Sequence, residues 1–213
     1  MIVIMSDKKH TFTVIAHRGG PGDDFVENSS EAFEESVKNN VPIETDVWLQ
    51  GSELVIAHNE PKEGMKYMHL SELLKLIDGR VNIYLDLKHE SSALPTLSAI
   101  KKDYSSHLST VILTSFEKEA LRTIRAKDKS IRLGLLYRPI DNEFIDLAEE
   151  LNVDFIGFNW LRVFPNYFNI KQSREATELK HYAYTINGKF LTRIMKSFGI
   201  CGIFTNYPNK FRA

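Results

Sequence analysis

Residues 11–48, TFTVIAHRGGPGDDFVENSSEAFEESVKNNVPIETDVW, read as one strand–helix–strand unit. Thr11–His17 and Val41–Trp48 are short runs rich in apolar and β-branched residues. Between them, Glu31–Asn39 places apolar residues at the three-to-four spacing of an amphipathic helix. Two strands joined through a helix lie parallel in one sheet, with the helix crossing over its face. The same alternation runs on to the C-terminus. Further strands are expected at Asn82–Lys88, Thr110–Ser115, Ile131–Tyr137, Val153–Phe158, His181–Ile186 and Gly202–Thr205. Helical spacing recurs at Ser71–Ile77, Ala93–Tyr104, Glu117–Ala126, Asn142–Leu151 and Lys189–Phe198. Leu54–Ala57 reads as an extra strand turned back on the second one across Gln50-Gly51-Ser52. Eight parallel strands with crossover helices are the count of an α/β (β/α)8 TIM barrel, which is the fold expected here. An open doubly wound sheet is the competitor. No linker, charge run or internal repeat divides the chain, so residues 1–213 are expected to form a single domain. Residues 1–10 are expected to be a flexible or peripheral N-terminus.

Composition narrows the function classes. The 27 basic and 28 acidic residues leave a net charge of −1, unlike the high pI of a nucleic-acid binder. A single cysteine, Cys201, rules out an internal disulfide and a cysteine zinc cluster. MIVIMSDKKH is too short an apolar stretch for a signal peptide, and no run reaches the roughly 20 apolar residues of a membrane span. A soluble, cytoplasmic protein with a small-molecule partner is expected. Membrane contact is not indicated, and oligomeric state is left open.

The polar residues concentrate where strands run into the following loops, which is where barrel enzymes build their sites. Glu44 and Asp46 are two apart on one strand and so face the same side. Asp86, on the next strand of the parallel sheet, offers a third carboxylate. An all-oxygen cluster of this kind suits Mg2+, Ca2+ or Mn2+. The plainer alternative is a buried ion pair with Lys88 or Arg18. His17 and His58 stand at neighbouring exits and have the chemistry of a general base and a general acid. Arg18 and Lys88 would bind a phosphate in the same pocket. His10, His69, His89, His107 and His181 lack such a setting and are given structural roles.

The string AHRGGPGDDFVENSSEAFEESVKNNVPIETDVWLQGSELVIAHNE resembles the N-terminal signature of the glycerophosphodiester phosphodiesterase family. Its pieces are His17-Arg18-Gly19, Glu27-Asn28-Ser29, Glu44-Thr45-Asp46 and His58-Asn59, followed downstream by LDLK (85–88), LTSF (113–116), YTIN (184–187) and IFTNYP (203–208). The resemblance implies a TIM barrel with acid–base His17 and His58, metal ligands Glu44, Asp46 and Asp86, and phosphate-binding Arg18 and Lys88. It implies a divalent cofactor, Mg2+ or Ca2+ with Mn2+ as a third choice, and a glycerophosphodiester such as glycerophosphocholine as substrate. Glu27, Ser115, Tyr137, Asn159, Trp160, Tyr184 and Asn187 are candidate pocket-lining residues. The chain has Asp86 where the family has Glu, Asn59 where Asp follows the histidine, Tyr184 for Trp and Asn206 for Asp. Only 12 residues separate His58 from Ser71, where the family inserts a capping subdomain. Lysophospholipase D or sphingomyelinase D-like cleavage of a larger lipid, and a non-catalytic phosphate-binding barrel, are the alternatives.

Overall fold

A computed structural model describes residues 11–137, 143–176 and 179–211. The expectations for residues 1–10 and for a helix start at Asn142 lie outside the described residues. The elements in chain order are β1 (Thr13–His17), α1 (Ser30–Lys38), β2 (Ile43–Gln50), β3 (Glu53–Ile56), β4 (Met68–His69), α2 (Leu70–Ile77) and β5 (Ile83–Leu87). They continue with α3 (Ala93–Asp103), β6 (Val111–Ser115), α4 (Lys118–Lys127), β7 (Arg132–Tyr137), α5 (Glu143–Leu151) and β8 (Phe155–Asn159). Last come α6 (Trp160–Val163), α7 (Tyr167–Ala176), β9 (Lys180–Tyr184), α8 (Lys189–Ser197) and β10 (Gly202–Thr205).

Strands β1, β2 and β5 to β10 pair in parallel around a closed ring, sealed by β1 against both β10 and β2. This is the expected (β/α)8 barrel. The extra strand β3 runs antiparallel to β2 across a turn in which Gly51 has φ of +60°, and β4 extends that ribbon outside the ring. The 11 residues from Ala57 to Tyr67, between β3 and β4, hold no helix or strand, so no capping subdomain arises there.

Alternation along each strand sorts the side chains into two layers. Ile15, Tyr84, Ile112, Leu136, Phe155, Tyr182 and Phe204 fill the barrel interior. The neighbouring positions pack outward on the helices, as with Ile43, Leu85, Leu113, Phe158 and Ile203. Four aromatic rings inside one small barrel need space from small neighbours. A β-carbon at Gly134 would lie 2.2 Å from the ring of Phe155, and one at Gly202 would lie 2.5 Å from that of Tyr182.

Two helices in the β8–β9 crossover, α6 and α7, escape sequence reading. Over residues 160–172 only Val163 and Ile170 are fully buried, so the stretch shows no repeating apolar stripe. The apolar side chains there divide. The rings of Phe164 and Tyr167 meet Phe198, while Leu161 and Phe168 remain exposed.

The histidines outside the site make local contacts. His69 opens α2 with its backbone N–H on Glu72, His89 accepts from the N–H of Ser91, and buried His181 stacks on Phe158. Among the described residues no helix is long and apolar enough to cross a membrane.

If the interior is filled in this way, Gly134→Ala overpacks it and lowers the unfolding free energy by about 1–3 kcal/mol in a denaturant titration. Phe155→Leu in the same background should recover part of that loss. Unchanged stability in Gly134→Ala would contradict the packing described.

Candidate active site

The site is assembled at the C-terminal end of the barrel from inward positions on β1, β2, β5 and β10. Ile15 faces inward, so His17 does too; Tyr84 likewise sets Asp86 and Lys88, and Phe204 sets Asn206. The pairing of β2 with β5 places Asp46 opposite Asp86, and the pairing of β1 with β2 places His17 opposite Glu44.

Glu44, Asp46 and Asp86 are buried, and one oxygen of each lies within 4.8 Å of the others. Burial, reinforced by Asp46 and Asp86, holds the Glu44 carboxyl well above the usual carboxylate range. Burial also pushes Asp86 up to about 6, against the pull of Lys88. Lys88 Nζ stands 3.1 Å from both Asp46 Oδ1 and Asp86 Oδ2. Burial pulls the Lys88 ammonium down, but Asp86 and Asp46 outweigh it and leave the group raised. The ion-pair alternative and the carboxylate cluster are therefore both present, in one network. Three carboxylates against Lys88 and Arg18 leave an excess of negative charge, and Asp86 Oδ1 is buried without a hydrogen-bond partner. Hard oxygen donors, an uncompensated charge and a free lone pair fit a divalent cation such as Mg2+ or Ca2+.

Arg18 links the parts. Its backbone N–H donates to Glu44 Oε2 at 3.0 Å. Its guanidinium reaches Glu27 at 2.7 Å, His58 Nε2 at 3.1 Å and Asp46 Oδ2 at 3.4 Å. This reach depends on an unusual backbone: Arg18 has φ of +52° and Asn28 has φ of +60°. The Asn28 N–H closes the loop on Arg18 O at 2.9 Å. Asn28 also accepts from Thr45 Oγ1 and donates to Asp46 Oδ2, so the loop is pinned to β2. Left-handed residues of this kind persist where surrounding bonds over-determine them.

The two histidines share a tautomer, with the proton on Nδ1, but differ in what holds them. His17 Nδ1 lies 2.7 Å from Asn206 Oδ1, an acceptor, so Nδ1 carries the proton and Nε2 is left as a base, 4.0 Å from Glu44 Oε2. Burial holds this imidazole below its usual range, outweighing the opposing Asn206 hydrogen bond. Asn206 is set in turn by Asn187, whose Oδ1 accepts from its backbone N–H at 2.9 Å and from Thr205 Oγ1 at 3.2 Å. His58 arrives from outside the ring, just after β3. Its Nε2 accepts from Arg18, and its Nδ1 faces Asp46 Oδ2 at 3.5 Å.

His17, Arg18, Glu44, Asp46, His58, Asp86 and Lys88 are thus brought together as the sequence led one to expect. The lining residues divide. Glu27 is drawn in by Arg18, Asn187 acts through Asn206, and Tyr184 faces inward, with its ring 5.7 Å from that of Phe116. Ser115 and Tyr137 are corrections, because each is one residue out of phase with the inward positions. The Ser115 hydroxyl is buried, donating to Leu87 O and accepting from the Glu117 N–H. Tyr137 is buried on the outer layer, its ring 6.2 Å from that of Phe144 on α5. Asn159 caps α6 by accepting from the Leu161 N–H, and Trp160 packs on the outer core. Asn206 and Asn28 are the contributors that sequence reasoning missed. Both stood in the quoted motifs, Glu27-Asn28-Ser29 and IFTNYP, without being given a role there; strand alternation beyond Phe204 was the further signal for Asn206.

A family model described as the glycerophosphoryl diester phosphodiesterase family matches residues 48–210. That stretch contains His58, Asp86, Lys88 and Asn206, while His17, Glu44 and Asp46 precede it. A Bacillus subtilis (strain 168) protein named "Putative glycerophosphodiester phosphodiesterase YhdW" is 26% identical over 246 residues, covering 92% of this chain and 95% of its own. Among solved structures, a glycerophosphodiester phosphodiesterase from Parabacteroides distasonis ATCC 8503 superposes with a TM-score of 0.82 at 17% identity, over 95% of each chain. A phosphodiesterase from Oleispira antarctica, solved with the product sn-glycerol-3-phosphate, gives 0.80 at 22% identity over 93% of this chain and 94% of its own. At such identities these two likenesses establish the fold.

The raised carboxylates have a consequence for stability without metal. A carboxyl that is harder to ionise in the folded state favours folding below its unfolded pKa, and that favour is lost as pH rises through the folded value. For Asp86 the loss falls between roughly pH 4 and the folded value of about 6. In a chelator, urea titrations should show stability falling by on the order of 2 kcal/mol across that window. Asp86→Asn should lack this component of the slope; an identical slope in both proteins would contradict the assignment.

Proposed function

The chain belongs to the glycerophosphoryl diester phosphodiesterase family, and on that premise we propose that it is a phosphoric diester hydrolase. Its substrates are glycerophosphodiesters such as glycerophosphocholine, cleaved to an alcohol and glycerol phosphate. The observation that carries this reading is the meeting of two histidines, two cations and a buried carboxylate triad at one barrel mouth.

Glu44, Asp46 and Asp86 would hold one divalent cation, Mg2+ or Ca2+. When bound, such an ion supplies Lewis-acid polarisation of the phosphoryl oxygens and neutralises developing charge. Arg18 and Lys88 bind and orient the phosphate by charge-assisted hydrogen bonds. The unprotonated Nε2 of His17 takes the proton of the nucleophile, either water or an adjacent substrate hydroxyl; burial keeps this nitrogen a free base at neutral pH. His58 serves the leaving group. In the described arrangement its Nε2 accepts from Arg18, so it cannot also carry a proton there. Transfer of the Arg18 guanidinium onto the phosphate frees Nε2 to be protonated, and that proton goes to the departing alkoxide. Substrate binding therefore arms the acid through the same arginine that recognises the phosphate.

Purified protein assayed on glycerophosphocholine should turn over with Mg2+ or Ca2+ and stop in EDTA. His17→Ala and His58→Ala should each lower kcat by about 100- to 10,000-fold with the fold intact by circular dichroism. Absence of turnover with any metal, indifference to EDTA, or full activity in either variant would overturn the reading. A second test isolates the Asn206 contact. Asn206→Asp puts a carboxylate against the His17 Nδ1–H and raises the imidazole pKa, so the acidic limb of kcat/KM should move up by about one pH unit. An unmoved limb would show that His17 is not the base.

A further inference from the structure

The net charge of −1 conceals a strong segregation. Residues 155–213 contain nine Lys or Arg and two Asp or Glu, both of the acids lying within 175–178; residues 1–154 contain 18 and 26. The basic part forms one continuous sector of the barrel, because β8, β9 and β10 are neighbours in the ring. The helices over it touch, with Phe164 and Tyr167 against Phe198 at the end of α8.

The same sector carries large apolar side chains that stand exposed among the described residues. Phe168 is 81% exposed, Phe190 76% and Leu161 61%, with Phe164 also exposed. Each of the first three has a cation close along the chain. Leu161 is followed by Arg162, Phe190 is preceded by Lys189, and Lys171 lies one turn beyond Phe168. Leu161 lies two residues after β8, and Phe190 lies in the first turn of α8, both on connections that leave the C-terminal end of the barrel, where the carboxylate triad stands. A soluble surface gains nothing from solvated phenylalanines. Apolar anchors interleaved with cations, on a stretch of chain where basic residues outnumber acidic ones nine to two, match the boundary of an anionic bilayer, where rings enter the acyl region and cations meet the headgroups.

We propose that the α6–α7–α8 face is a docking surface for an anionic lipid bilayer, which it binds peripherally with the barrel mouth at the headgroup level. The surface is separate from the carboxylate cluster and does not depend on the hydrolytic reading. It does give that reading a direction, since a mouth resting on headgroups would meet phosphodiesters that are still attached to an acyl chain.

Sedimentation with sucrose-loaded vesicles tests the surface without any turnover. The full chain should pellet with phosphatidylcholine vesicles containing roughly 30% phosphatidylglycerol and stay in solution with phosphatidylcholine alone. Salt at about 0.5 M should release it. The triple variant Leu161→Ser, Phe168→Ser, Phe190→Ser should pellet at least about fivefold less, as should Arg162→Glu with Lys189→Glu. Melting temperatures matching the parent's would show that these variants are folded; single substitutions serve where a combination is not. The proposal is overturned if the parent fails to pellet with anionic vesicles, pellets equally with neutral ones, or is matched by its variants. Preferential capture by a single-stranded oligonucleotide, displacing the vesicles, would also overturn it.

Discussion

Three carboxylates forced into one dry corner are the constraint around which this molecule is arranged. Glu44, Asp46 and Asp86 repel one another in a medium that screens poorly, so the cluster survives only with cations against it. Lys88 is placed by the same strand that brings Asp86, and Arg18 by the turn that follows His17. The closed ring of hydrogen bonds supplies the rigidity that holds like charges together. Every other feature of the mouth answers to that cluster: the pinned β1–α1 loop, the left-handed Arg18 and Asn28, and the second histidine brought in from outside the ring.

The interior beneath the site shows why charge can be kept at the top. Tyr84, Phe155, Tyr182 and Phe204 plug the barrel below the acids, with glycines on adjacent strands making room. Water is thus excluded from one side of the triad, and burial becomes the leading cause of the raised carboxyls. The fold and the electrostatics are the same fact seen at two scales. An aromatic floor makes ionised carboxylates costly, and the cost is what makes a divalent cation welcome.

Much of this was legible in the chain because strands carry a period of two. Alternation fixes Glu44 with Asp46 and Asp86 with Lys88, and strand exits locate the mouth. The same alternation, carried through β6 and β7, sorts Ser115 and Tyr137 outward, since Thr114 and Leu136 take the inward places. Other contacts have no local signature. The bond from His17 to Asn206 spans 189 residues and exists only because the first and last strands close the ring. The reach of Arg18 to His58 depends on a left-handed turn that its own sequence does not require. The α7 helix was hidden because Ile170, the single buried position among its described side chains, makes no stripe.

The ribbon of β3 and β4 lies outside the closed ring, and it alone delivers His58. Opening a closed barrel breaks ladder bonds on two sides of each strand, whereas β4 is a two-residue edge paired on one side only. Native proteins open locally in units that differ in free energy, and such an edge belongs at the low end of that scale. His17 and the carboxylates therefore belong to the slow-exchanging body of the molecule, and His58 to its fast-exchanging margin. The two ends of the cleaved bond would then meet surroundings of unequal stiffness, firm toward the attacking group and yielding toward the one that departs.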